Sequence, residues 1–301
     1  MSVATSAPAG AVGALLEGIV DYAGLFPPAG LDLPAAVAEY GARRRSGDAW
    51  MLGRFVLPAS RLSELPAAAA AAWASDGGGW RLSALVGPDV AGDAAAVASF
   101  NAAQPGRALV DAVELKATTP EEVAAVLDAA PRGAAAYVEI PLDPALDALL
   151  DAVQAHGGRA KVRTGGVTAA AFPPTEAVAR FLDECVRRAL PFKATAGLHH
   201  PVRGEQALTY APDAPRGVMH GFLNLLAATA LLCAHRPFER ASAALEERDA
   251  GAFGVGNEAL VWRGERLEAD AVRSARALMS GFGSCSFAEP VADLRALGLL
   301  R

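Results

Sequence analysis

A chain of 301 residues is long enough for one large α/β barrel, an architecture of about 250 residues, and short for two compact domains. With 52% hydrophobic and 20% charged residues it has the composition of a folded globular protein, which excludes a disordered chain. A net charge of −6, with Arg43-Arg44-Arg45 as its one basic run, excludes a surface built to clamp a phosphate backbone, so no nucleic-acid partner is expected.

Met1 to Gly10 carries no positive n-region, and Glu17 interrupts the apolar stretch from Ala11 to Val20, so no secretory leader is expected. From there the chain alternates β-branched or aromatic runs with Ala/Leu/Glu-rich helical stretches. A strand over Val20–Phe26 precedes a helix over Leu33–Arg45. The next pairs are Trp50–Leu57 with Arg61–Ala74, Arg81–Val86 with Ala91–Asn101, and Leu109–Lys116 with Pro120–Ala130. The second half repeats the pattern with Ala135–Ile140 and Pro144–His156, Ala160–Thr164 and Thr175–Ala189, and Phe192–Ala196 and Val218–Ala234. Between the seventh and eighth strands, Ala259–Leu267 reads as a hairpin turning at Gly264, followed by a helix over Glu268–Met279. This is an insertion over residues 236–280, approximately, before a last strand, Phe282–Ser286, and a last helix, Pro290–Leu299. A competing assignment makes Ala259–Trp262 the eighth strand. Such alternation predicts an α/β protein, a single-domain (β/α)8 TIM barrel spanning residues 1–301.

The longest apolar run, Gly221 to Ala234, is too short to span a membrane and contains Asn224. Cys185, Cys233 and Cys285 are scattered without a CxxC or zinc spacing, which fits a reducing, cytoplasmic setting.

In such a barrel, outward strand positions pack on helices and inward ones fill the barrel or project at its C-terminal mouth. Parity sends Glu114 and Lys116, Tyr137 and Glu139, Lys161 and Arg163, and Lys193 and Thr195 inward, with Ala160, Val162, Phe192, Ala194 and Ala196 outward. The opposite register would bury these charges against helices at several kcal/mol per unpaired ion, roughly. The mouth then holds Lys116, Lys161, Arg163 and Lys193 against Glu114 and Glu139, a positive excess suited to a small anionic or carbonyl substrate. Neighbouring cations at Arg163 and Lys193 disfavour the ammonium form of Lys161, as an amine nucleophile requires, unless Glu114 or Glu139 touches it. A purely structural ring of ion pairs is the competing reading.

Three segments carry a resemblance. Lys161-Val-Arg-Thr-Gly165, Lys193-Ala-Thr-Ala-Gly-Leu198 and Phe282-Gly-Ser-Cys-Ser286 resemble, in order, the sixth, seventh and eighth strand motifs of the deoxyribose-phosphate aldolase family, Schiff-base (class I) aldolase barrels. The resemblance implies a carbon–carbon lyase without cofactor or metal, in which Lys161 forms the Schiff base and Lys193 perturbs it. It also places Asp21 among the catalytic residues, where that family has a first-strand aspartate, and Glu114 in place of its acid/base aspartate. Arg163, Thr195, Gly197, Ser284 and Ser286 would then hold an anionic or hydroxylated substrate tail. Arg163 stands where that family has a small residue, and His199-His200 where it has an Arg-Thr that helps hold phosphate, so a phosphorylated sugar is not implied. Asp21-Tyr-Ala-Gly-Leu-Phe-Pro-Pro28 and Lys193 to Pro201 are also similar to a bacterial family with no assigned activity.

His199, His200 and His220 fall on loops or helix starts of the catalytic face, where one of them can move protons or bind substrate. Together with Glu139 they define an alternative, a metal-assisted hydrolase or lyase, although their spacing matches no ligand motif. A non-catalytic barrel binding an anionic metabolite is a further alternative. Cys285 alternates with Ser284 and Ser286 and is expected to face a helix as a small core residue. Homo-oligomerisation is left open.

Overall fold

A computed structural model describes residue 7 and residues 10–255 and 259–300. Of the segment 1–10 read for a leader, all but residues 7 and 10 lie outside them, as do residues 256–258 of the insertion. The chain begins with α1 (Ala11–Leu16), β1 (Val20–Tyr22), α2 (Leu33–Arg44), β2 (Leu52–Pro58), α3 (Leu65–Asp76), β3 (Trp80–Leu85) and α4 (Val90–Ala103). It continues with β4 (Ala108–Lys116), α5 (Pro120–Asp128), β5 (Ala135–Glu139), α6 (Leu146–Ala155), β6 (Arg159–Arg163), α7 (Thr175–Arg187) and β7 (Phe192–Thr195). An antiparallel hairpin of β8 (Gly204–Ala207) and β9 (Arg216–Met219) leads to α8 (Phe222–Cys233) and α9 (Phe238–Glu246). A three-stranded antiparallel sheet, β10 (Phe253–Val255), β11 (Ala259–Trp262) and β12 (Glu265–Glu268), precedes α10 (Ala269–Leu278), β13 (Met279–Ser284) and α11 (Ala288–Ala296).

Eight parallel strands close in the order β1-β13-β7-β6-β5-β4-β3-β2, with helices outside: the protein is a (β/α)8 barrel. Local chemistry starts several helices. Asp32 accepts a hydrogen bond from the Ala35 amide, and Thr119 accepts one from Glu122 ahead of a proline at the first helical position. The outward strand positions are apolar and buried: Ala160, Val162, Phe192 and Ala194 belong to the core, with Phe192 edge-on to Phe181 of α7 at 5.4 Å. Beside β1 to β3, Tyr40 of α2 packs edge-on to Trp80 at 4.7 Å and to Phe55 at 5.3 Å. Parity has therefore sorted the strand faces as hydrophobic burial requires.

Several expectations need correction. Ala259–Trp262 is not a barrel strand, because it pairs antiparallel with β10 and β12, and β13 closes the barrel between β1 and β7. The hairpin does turn at Gly264, whose φ is +78°. The helix expected from Val218 starts only at Phe222, since Arg216–Met219 is drawn into pairing with Gly204–Ala207. The first strand stops at Tyr22 instead of Phe26. Ala196 does not continue β7 outward: it adopts φ +64° and turns the chain toward the mouth. Among the described residues, no helix is long and apolar enough to cross a membrane.

Candidate active site

Five strands deliver charged side chains to one buried cluster under the C-terminal mouth. Asp21 comes from β1, Glu114 from β4, Glu139 from β5, Lys161 from β6 and Lys193 from β7. The register puts Glu139 beside Lys161 and Lys161 beside Lys193, so three consecutive strands present them at one level. Lys193 is 1% exposed, and its Nζ donates to Asp21 Oδ2 at 2.6 Å and to Glu114 Oε1 at 2.7 Å. Lys161 is 4% exposed, with its Nζ 2.7 Å from Glu114 Oε2 and 2.8 Å from Glu139 Oε2. Glu114 thus bridges the two lysines, one with each oxygen, and also accepts from Ser83 Oγ at 2.8 Å.

The buried part of the cluster holds three carboxylates against two ammonium groups, because Asp21 joins it while Lys116 and Arg163 stay at the rim. Lys116 is 72% exposed and reaches Glu139 only at 3.5 Å. Both carboxylates that would offset neighbouring cations do touch Lys161, so it is not a lysine facing bare positive charge. Burial pushes Glu114 up, but the charges and hydrogen bonds of Lys161 and Lys193 outweigh it and hold the carboxyl far below the usual range. For Lys193, burial favours the neutral amine, yet Asp21 and Glu114 raise it well above the usual lysine value. Burial likewise raises Glu139, and Lys161 more than offsets it.

Space for this constellation comes from glycines facing it. A Cβ on Gly53 would lie 2.4 Å from Asp21 Oδ1, whose position is fixed by the Arg54 amide at 2.7 Å. On β13, Gly281 and Gly283 stand opposite Lys193 and Thr195 and leave the barrel interior open there.

Above the cluster lies a cavity of about 240 Å³, lined by Glu114, Lys161, Arg163, Thr195, Gly197, His199 and Cys285 and walled on one side by apolar residues. Lys161 lines it; Lys193 lies behind. No protein-family model and no curated protein matches the chain. The position of charged residues at the C-terminal mouth is that of the active site in enzymes of this architecture.

The remaining residues singled out from the sequence divide between this cavity and other duties. Arg163 sits at the rim with no hydrogen bond or ion pair among the described residues, although its charge reaches Glu139. Thr195, its register partner, has a buried hydroxyl with no hydrogen-bond partner among the described residues. Gly197 adopts φ +72°, and a Cβ there would meet Phe172 at 2.6 Å. Ser284 and Ser286 do not line the cavity: Ser286 Oγ accepts from the Glu289 amide at the start of α11, and Ser284 Oγ accepts from the Ser286 amide.

The three histidines do not converge on Glu139. His199 Nδ1 pairs with Glu289 at 3.0 Å and His200 Nδ1 with Asp293 at 2.6 Å, while His220 Nε2 donates to the Pro173 carbonyl at 2.9 Å. Burial disfavours a charged His199, but hydrogen bonds and charge from Cys285 and Glu289 raise it to about 9. Burial lowers His220. Cys285 is not a helix-facing core residue; strand alternation ends at Ser284, and its Sγ lines the cavity 4.0 Å from both His199 ring nitrogens. Sequence reasoning missed Ser83, Glu289 and the apolar hairpin residues Leu208 and Met219. Ser83 was accessible, being inward by the same parity as Glu114; the hairpin carries too few residues to signal itself.

Proposed function

We propose that the protein is a Schiff-base lyase of the class I aldolase type, with Lys161 as the amine that captures a small carbonyl substrate. The observation that carries this reading is the asymmetry of the two lysines. Lys161 opens on the cavity, whereas Lys193 is enclosed by Asp21 and Glu114 and held as a cation. The three strand motifs that resemble deoxyribose-phosphate aldolases assign the same roles.

Lys161 gives up a proton to solvent in the cavity, and the freed lone pair adds to the substrate carbonyl carbon. The carbonyl oxygen takes up two protons and leaves as water, giving a positively charged iminium. The bond between the α and β carbons then breaks, its electron pair forming the enamine double bond as the iminium nitrogen is neutralised, while the hydroxyl on the departing β carbon loses a proton and becomes a carbonyl. The resulting enamine takes a proton on carbon, and water hydrolyses the iminium to restore the amine. Glu114, which stays ionised, balances the iminium charge, and His199, which lines the cavity, can move these protons. Lys193 fixes one oxygen of Glu114, directing the other at Lys161.

Incubation with acetaldehyde, pyruvate or 2-oxopentanoate and borohydride should add the reduced carbon skeleton to the protein, read by intact mass. Lys161→Arg keeps the charge without a usable amine and should abolish the adduct with the fold intact by circular dichroism. An adduct of equal yield in that variant would transfer the role to another lysine.

A further inference from the structure

The cavity also constrains what Lys161 would capture, and this inference rests on the Schiff-base reading. We infer that the substrate is a small unphosphorylated oxo acid with an aliphatic body, whose carboxylate is held by Arg163 and Thr195.

Arg163 and Thr195 are Cα partners across β6 and β7, one pleat repeat beyond the Lys161–Lys193 pair, or about 7 Å along the strand. Among the described residues the guanidinium has no ion pair, and the buried Thr195 hydroxyl has no hydrogen bond. Arg163 and Thr195 both line the cavity that Lys161 lines, and a cation beside a hydroxyl with an unused donor suits a planar carboxylate, whose oxygens can accept from both. The other cation lining the cavity above the cluster is not available to a ligand, because His199 is paired with Glu289.

A phosphate tail finds the opposite surroundings. In the aldolase resemblance the eighth-strand serines receive phosphate, but here Ser286 caps α11 and Ser284 accepts from the Ser286 amide. The first turn of α11 presents Glu289, whose carboxyl burial would raise but which His199 and Tyr210 keep ionised. A carboxylate there opposes the attraction that a helix N-terminus otherwise has for phosphate. A polyhydroxylated chain fares no better, since the cavity lining also includes the apolar Phe26, Pro27, Val56, Leu85, Leu208 and Met219. Such a chain would lose its water there without replacement partners. The volume of about 240 Å³ suits a small ligand.

Two measurements separate the carboxylate site from the amine. Calorimetry with pentanoate, which has the carboxylate and chain but no carbonyl, reads the site without Lys161 chemistry. Pentanoate should bind, Arg163→Gln should weaken it at least tenfold, and the isosteric Thr195→Val three- to tenfold. Borohydride trapping of 2-oxopentanoate, 2-pentanone and 2-deoxyribose 5-phosphate reads both together. The oxo acid should be captured at a concentration at least tenfold below either competitor, and Arg163→Gln should collapse its preference over the neutral ketone. Pentanoate binding that is absent or indifferent to Arg163→Gln, equal capture of ketone and oxo acid, or preferred capture of the phosphorylated sugar would each overturn the inference. Arg163-dependent pentanoate binding with no carbonyl captured would leave the carboxylate site standing and remove the Schiff-base reading.

Discussion

Replacing Lys193 by Met tests whether the buried cluster is held together by ionised groups. The side chain is of similar length, so the substitution removes the charge and little volume. It withdraws an ammonium from 2.6 Å of Asp21 and 2.7 Å of Glu114. At an effective dielectric of about 20, each contact represents roughly 6 kcal/mol of raw attraction, most of it offset by the desolvation of the ions. Breaking a buried pair from one side costs about 3–5 kcal/mol, because the partner is left as an unpaired buried charge. Among the described residues Glu114 keeps Lys161 and Ser83, whereas Asp21 keeps only the Arg54 amide as a hydrogen-bond donor, so most of the loss falls on Asp21. Adding Asp21→Asn to Lys193→Met should therefore recover at least half of it. The pH window follows from the shifts. The depressed Glu114 contributes stability above its ordinary 4.5 that is lost as pH falls, and the raised Lys193 contributes stability below its ordinary 10.5 that is lost as pH rises. Urea unfolding between those limits should show a loss of about 3–5 kcal/mol for the single variant. A loss below about 1 kcal/mol, the scale of an exposed pair, or no recovery in the double variant would refute this account of the cluster.

Two further perturbations follow from the geometry. His199, raised from 6.5 to about 9, contributes stability that is complete below pH 6.5 and lost as pH rises through 9. The full amount is on the order of 3 kcal/mol, and His199→Gln should flatten that part of the stability–pH curve measured by urea midpoints. Gly53→Ala sets a methyl 2.4 Å from Asp21 Oδ1 and should destabilise by about 1–3 kcal/mol, seen as a lowered Tm; an unchanged Tm would show that Asp21 is not fixed there.

The barrel was legible because its strands are short apolar runs between helical stretches, and because Lys161, Lys193, Glu114 and Glu139 fall on the inward parity of four of them. Parity failed where strands end. Ala196 and Cys285 lie just past β7 and β13, where the backbone leaves the pleat and side chains turn to the cavity. The hairpin of β8 and β9 was read partly as helix because four-residue strands show too little alternation to compete with the apolar run of α8. Adjacent His199 and His200 suggested a cluster around Glu139, but their rings, 6.4 Å apart, pair instead with Glu289 and Asp293, one turn apart on α11. A motif match singled out Asp21, but nothing in spacing alone pairs it with Lys193, 172 positions away.

The most direct test of the central claim is peptide mapping of the protein after borohydride reduction in the presence of 2-oxopentanoate. The account predicts one modified site, Lys161, with Lys193 unmodified because Asp21 and Glu114 enclose it as a cation. A reduced adduct on Lys193, or on neither lysine with a compound shown to turn over, would contradict it.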